Sequence, residues 1–294
     1  MTALNNKYDF ILLFDVTDGN PNGDPDADNM PRRDYETGHG IVTDVCIKHK
    51  IRNYVEQVKK GEDGYDLYIK SGISLNTKDN QALDELGVPK SKTKSGKKDK
   101  DTDKKIKEYM CHKYFDIRTF GAVMTTFTQG ALNSGQITGP VQLTFARSVD
   151  PITVNNYTLT RCVITKEDEA ETKNNTMGKK PMVYYGLYKM YGHINANLAN
   201  DVTHFSEEDL ELLWQAIEGM FELDHAAARG TINLRELIIF KHESVYGNCA
   251  SYKLFDRVHI TKKDGVVYPR EYSDYTVDID TKDMPANVTL IRRG

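Results

Sequence analysis

Three groups of residues in this chain have types and spacings that could do chemistry. The first is Asp24, Asp26 and Asp28, which alternate as the ligands of a calcium loop do. An EF-hand loop opening at Asp24 needs Gly at its sixth position and Glu at its twelfth. Asn29 and Tyr35 stand there instead, and Pro25 intrudes, so Asx turns in a turn-rich loop are the better account. The second group is the histidines His39, His49, His193, His204, His225, His242 and His259, each a potential general base. None lies in an H-E-x-x-H or G-x-S-x-G pattern, and His225 beside Asp224 reads as a helix-end feature. The third group is cationic. Arg32 and Arg33 precede Gly38-His39-Gly40, and Lys48, His49, Lys50 and Arg52 follow a helix start at Thr43-Asp44. Free N–H groups, the helix dipole and nearby cations together favour phosphate. No Walker or dinucleotide pattern follows, so a phosphate polymer fits this site better than a nucleotide cofactor, and no cofactor or metal is expected.

These residues need a scaffold to hold them. Residues 8–16 read as a buried strand that runs into the turn-forming segment 20–29. Ile47, Ile51, Tyr54, Val55 and Val58 fall at 0, 4, 7, 8 and 11, one apolar stripe of a helix over 44–59, with Lys48, His49 and Arg52 pointing away from its centre. Tyr65, Leu67 and Ile69 alternate with polar residues as a second strand would. Residues 106–124 read as a helix with Phe115, Ile117, Phe120, Val123 and Met124 in the core, and 141–146 as a cleanly alternating strand. The runs 152–165 and 182–195 form a long hairpin with a polar, protruding tip. Ser206-Glu207-Glu208-Asp209 is a capping-box pattern opening another helix, and 234–240 is a further strand. Short strands fall near 257–268 and 275–279. The order predicts an α+β fold, best fitted by a split β-α-β-β-α-β (ferredoxin-like) unit with insertions.

At 294 residues and 39% hydrophobic, the chain can build one large core. No run approaches the roughly 20 apolar residues of a membrane span, and no signal peptide is recognised. Cys46, Cys111, Cys162 and Cys249 form no C-x-x-C pair, which argues against zinc and for reduced thiols in a cytoplasmic protein. The net charge of −4 is mildly acidic, but the charges are segregated. Cations dominate 41–60 and 90–107, and acids collect at 167–171 and 207–211. Such a division suits head-to-tail assembly with further copies of the chain. The lysine-rich stretch 90–105 has two readings, a solvated disordered loop or an electrostatic arm for nucleic acid. The aromatic motifs of a standard RNA-recognition module are absent, so RNA would be held by its backbone and not stacked on the sheet.

Asn20-Pro21-Asn22-Gly23-Asp24-Pro25 followed by Thr43-Asp44-Val45-Cys46-Ile47-Lys48-His49-Lys50-Ile51-Arg52 resembles the backbone subunit of the CRISPR Cascade complex, the seventh Cas protein family, in its type I-C form. Asp116-Ile117-Arg118-Thr119-Phe120-Gly121-Ala122-Val123-Met124 is similar to that family's second signature. The resemblance covers essentially the whole chain. It implies a single palm domain over 1–294 with an RNA-recognition-like fold, a finger-like mobile insertion at 77–115 and a thumb hairpin at 160–184. It implies a non-enzymatic subunit whose copies stack head to tail along CRISPR RNA and present it to target DNA. The other partners would be the small, large and RNA-processing subunits of Cascade, with no membrane. Carried over residue by residue, it assigns RNA contacts to Arg32, Arg33, Thr43, Asp44, Lys48, His49 and Arg52, and to Met177, Lys179 and Lys180 of the thumb. An RNA-processing endonuclease on the same fold, using His39 or His49 as base, is the alternative.

Overall fold

The computed structural model describes residues 2–89, 100–124, 127, 135–161 and 176–294. Strand β1 (Tyr8–Gly19) is buried along almost its whole length. A small ribbon, β2 (Gly23–Asp24) and β3 (Met30–Pro31), and the edge strand β4 (His39–Val42) lead into helix α1 (Asp44–Val58). The Asx turns expected in this loop are present. Asp24 accepts a hydrogen bond from Asp26 N (3.3 Å), and Asp28 and Asn29 adopt left-handed backbone. Among the described residues, no group of three or more His, Cys, Asp or Glu is arranged to hold a metal.

Residues 65–69 are not a strand. Their alternation is real, but Asp116 captures the amides of Tyr68 (2.7 Å) and Ile69 (3.0 Å), and only an isolated bridge joins Asp66 to Tyr114. Helices α2 (Leu75–Glu85) and α3 (Lys100–Lys113) follow, with α4 (Phe115–Phe120) directly after. The single helix expected over 106–124 is therefore two helices and a strand, because Gly121 takes φ +77° and ends the helical run. Tyr68, Leu83, Ile106, Met110, Tyr114 and Ile117 belong to a core of their own under these helices. The segment 77–115, expected to be mobile, thus packs on a core of its own wherever it is described, while 90–99 lies outside the described residues.

Strands β5 (Gly121–Val123) and β6 (Gln136–Thr138) pair with each other, leaving Val123 61% exposed and not in the core. Then come β7 (Val141–Leu143), β8 (Ala146–Pro151), β9 (Val154–Arg161) and β10 (Thr176–Ile194). β9 and the first part of β10 pair from Arg161↔Thr176 to Val154↔Val183, so a hairpin forms, but its second arm is 176–183, most of which was expected in the tip, while the expected arm beyond Val183 pairs with β1, β7 and β8. Its tip, 162–175, lies outside the described residues. A short α5 (Ala196–Leu198) precedes α6 (Glu207–Gly219), whose capping box forms as the sequence predicts, between Ser206 and Asp209. The chain closes with β11 (Thr231–His242), α7 (Ser251–Phe255), β12 (Val258–Lys262), β13 (Tyr275–Ile279) and β14 (Val288–Arg293).

The large sheet is antiparallel and runs β14-β11-β1-β10-β8-β4, with β7 and β9 also on β10. Side chains of β1 alternate between its faces. Phe10, Leu12, Phe14 and Val16 meet the core shared with α1 and α6, where Trp214 sets its edge on Phe10 at 5.1 Å. Ile11 and Leu13 point the other way, under Leu254, Val258, Ile260 and Val277 of the C-terminal segment. The sheet face that could have presented aromatic rings to RNA is therefore covered over β1 and β11. No helix among the described residues is long and apolar enough to cross a membrane.

Candidate nucleic-acid interface

The loop after β1 is held by its own polar groups. Asn20 N donates to Ala228 O (2.8 Å), and the Asn20 side chain donates to Asn29 O (2.7 Å). Asn22 Oδ1 accepts both the amide (2.9 Å) and the hydroxyl (3.0 Å) of Thr43. The same hydroxyl accepts from Cys46 N (3.3 Å), so Thr43 caps α1 and ties it to the loop. Arg32 N bonds Asn22 O (3.1 Å) and Arg33 bridges to Gly40. Gly19, at the end of β1, pairs with Val183 at the root of the hairpin. Loop, helix start and hairpin root therefore gather at one end of the central strands β1 and β10.

The cations gathered there differ in what they can do. Arg33 is exposed, with its guanidinium 5.8 Å from the Tyr35 ring centroid, and no described carboxylate pairs with it. Arg32 is half-buried and pairs with Asp24 at 3.3 Å. Lys48 is tethered to Asp44 one turn earlier (2.8 Å) and lies 5.5 Å from the Phe120 ring centroid. Lys179 is exposed and Lys180 half-exposed on the hairpin. Nothing is described of the Met177 side chain, so its assignment lies outside the described residues.

Two assignments need correction. Arg52 does not project outward. Its side chain is 7% exposed, and Nε donates to Asp116 Oδ2 at 2.8 Å. Position 52 belongs to the buried side of α1, with Ile51 and Val55, because Asp116 supplies the countercharge that an apolar-stripe reading cannot see. Val58, assigned to that stripe, is 46% exposed. His49 is exposed but is a poor cation. Burial, and then the charges of Lys50, Arg52 and Arg229, hold its pKa below the ordinary imidazole value, so it is neutral at neutral pH.

Sequence reasoning missed the residues that place the helix. Lys50 is buried and contacts Asp224, which Arg229 also approaches at 3.4 Å. Arg118 grips Asp209 with two bonds of 2.8 Å and donates to the carbonyl of Cys111 (2.9 Å). Asp116 and Arg118 thus link α4 to α1 on one side and α6 on the other. The signal was present in Asp116-Ile117-Arg118, an acid and a base two apart inside an otherwise apolar run, where a charge must find a partner. His39 is also drawn inward, with Nδ1 2.7 Å from Ser148 O.

The molecule is thus a mixed α/β protein with a large antiparallel sheet, and it gathers cations around a pinned helix start. A family model described as CRISPR-associated protein Cas7 matches residues 6–280, and the chain belongs to that family. It is similar to CRISPR-associated protein Cas7 of Haloferax volcanii (strain DS2), with 30% identity over 240 residues, 74% of this chain and 66% of that protein. The matched region is thus just under two thirds of that relative's length. Two solved chains also align over 80% of this one. One is described as CRISPR RNA-guided surveillance complex, pre-nicking, at TM-score 0.47 and 15% identity over 75% of that chain. The other is described as CRISPR RNA-guided surveillance complex, at TM-score 0.46 and 14% identity over 68% of that chain.

Proposed function

We propose that this chain is the backbone subunit of a type I-C CRISPR surveillance complex, without catalytic activity of its own. Copies stack head to tail in the cytoplasm along CRISPR RNA, holding it by its phosphates, and present it to target DNA beside the small, large and RNA-processing subunits. Family membership supports the class of function. The observation that carries the mode of binding is the meeting of loop 20–42, the capped start of α1 and the hairpin root at one end of the central strands. Phosphate contacts of this kind position a strand without reading its sequence. The order β11-β1-β10-β8, with α1 and α6 on one face, supports an RNA-recognition-like palm. The C-terminal cover on the other face supports gripping the RNA backbone instead of stacking bases across β1 and β11. In this reading 77–115 is the finger, 160–184 the thumb, and Arg32, Arg33, Lys48, Lys179 and Lys180 the phosphate contacts. Thr43 and Asp44 set the helix start, and His49 adds a neutral hydrogen bond.

The experiment is co-expression with a repeat-spacer RNA, followed by electron microscopy and nucleic-acid analysis of the purified material. Helical particles carrying RNA of defined length are expected. Nucleic-acid-free monomers from cells making the guide would refute the reading, and the co-purifying subunits test the subtype.

A further inference from the structure

Strict alternation from Val141 would put Val141, Leu143 and Phe145 on one face of their strand. Val141 is buried and Leu143 half-buried, but Phe145 is 53% exposed while Ala146 and Ser148 are buried. The phase breaks between β7 and β8. There Thr144 N donates to Tyr191 O (2.9 Å), and the Thr144 hydroxyl, in place of a carbonyl, accepts from Tyr191 N (3.1 Å). An irregularity of this kind re-aims a side chain, and here it turns a phenyl ring outward.

Beside that ring, Arg147 of β8 and Lys189 of β10 are direct cross-strand partners. Like charges placed opposite each other destabilise a sheet. Arg147 has partial compensation from Asp34 at 3.3 Å. No described carboxylate pairs with Lys189, whose ammonium sits 5.3 Å from the Tyr191 ring centroid. Phe255 packs on that ring at 4.5 Å and fixes its place. Phe145, Arg147, Lys189 and Tyr191, with Ile260 of the C-terminal cover, line a groove of about 390 Å³. Through Asp34 the groove adjoins the loop that carries Arg32 and Arg33.

We propose that this groove binds one unstacked nucleotide of a single strand, its base on the exposed Phe145 ring and its phosphate against Arg147 and Lys189. A phosphate relieves the repulsion within the cross-strand pair, and every base offers a π face to an aromatic platform. An acidic peptide would answer the cations and leave the outward phenyl ring unexplained. The inference rests on the reading above only in that a single strand passes over the subunit.

The test uses the full chain and labelled oligouridine RNA and oligothymidine DNA, titrated by fluorescence anisotropy at several salt concentrations. Phe145→Ala is expected to weaken binding about tenfold, the effect of losing one stacked base, and Phe145→Trp to retain it. Arg147→Gln with Lys189→Gln is expected to lower the salt slope by about 0.7 per phosphate released. Loss with RNA alone, or with DNA alone, identifies which strand uses the groove. Wild-type affinity and slope in all these variants would overturn the groove and leave the proposed function standing. So would loss of self-association, by light scattering, with oligonucleotide binding intact. If the unmutated chain binds neither polymer, both readings fall. All three positions are exposed or half-exposed, and thermal melts confirm that the variants fold.

Discussion

Arg52→Ala separates a structural cation from a binding one. In a helix that starts at a phosphate site, an arginine two turns in would ordinarily be mutated to weaken RNA binding. Its placement predicts a different result. Removing the guanidinium strands Asp116, which is 1% exposed, with only the amides of Tyr68 and Ile69 as donors. Breaking a buried pair from one side costs about 3–5 kcal/mol. At about 2.1 cal/mol/K of unfolding entropy per residue, this chain should lose about 5–8 °C in Tm. Adding Asp116→Asn should recover part of the loss, since the orphaned charge is then gone. The assay is urea denaturation of the three variants together with a salt titration of RNA binding on the folded protein. Arg52→Ala should move the urea midpoint and leave the salt slope unchanged. An unchanged midpoint with a slope lowered by about 0.7, the value for one phosphate on a single strand, would refute the assignment and return Arg52 to the RNA.

Lys48→Ala and Arg33→Ala should each lower the salt slope of RNA binding by about 0.7, Arg33→Ala with no loss of Tm and Lys48→Ala with the small loss that goes with its Asp44 pair. They sit on different elements, so filter-binding titrations of the double variant should show the two effects adding. Asp9 is fully buried. Burial raises its pKa, but hydrogen bonds from His193 (2.6 Å), His242 (2.9 Å) and Lys7 (2.9 Å) outweigh that and hold it well below the ordinary carboxylate value. A depressed folded pKa adds stability that is complete above the unfolded value, about 3.9, and is lost as pH falls toward the folded one. Asp9→Asn should therefore cost about 2–3 kcal/mol at neutral pH, and its deficit against the unmutated protein should shrink below about pH 4. A deficit independent of pH in urea melts would contradict this.

Periodicity and capping made much of the fold readable. The buried strand at 8–16, the helix over 44–59, the box at Ser206 and the hairpin flanking 162–175 depend on local patterns, and local patterns survive folding. The errors arose where a distant residue decides. Tyr65–Ile69 has the alternation of a strand, but the Asp116 carboxylate takes two of its amides. Phe145 fits a strict alternation until Thr144 substitutes its hydroxyl in the ladder. Arg52 looks solvent-facing until Asp116 is placed beside it. The candidate site was legible as a cluster of residue types, because cations at a helix start carry their own meaning. How those cations divide between surface and core was not, since that depends on carboxylates 64 positions away for Arg52 and 174 for Lys50.

That division explains why the Asp116–Gly121 run has the form it does. Helix α4 touches neither the loop 20–42 nor the β9–β10 hairpin through its charges. Instead Asp116 fixes α1 through Arg52, and Arg118 fixes the start of α6 through Asp209, whose carboxylate also accepts from the N-cap amide of Ser206. Gly121 must follow at once, because φ is +77° there and a Cβ would lie 2.3 Å from Ile137 O. Leu and Met in place of the charges would fill the same volume, but apolar side chains can slide and ion pairs with fixed donors cannot. A grip on a repeating phosphate backbone depends on the rotation and height of α1 more than on extra stability. The buried pairs at Arg52 and Arg118 are thus best understood as setting the position of the helix that carries Lys48.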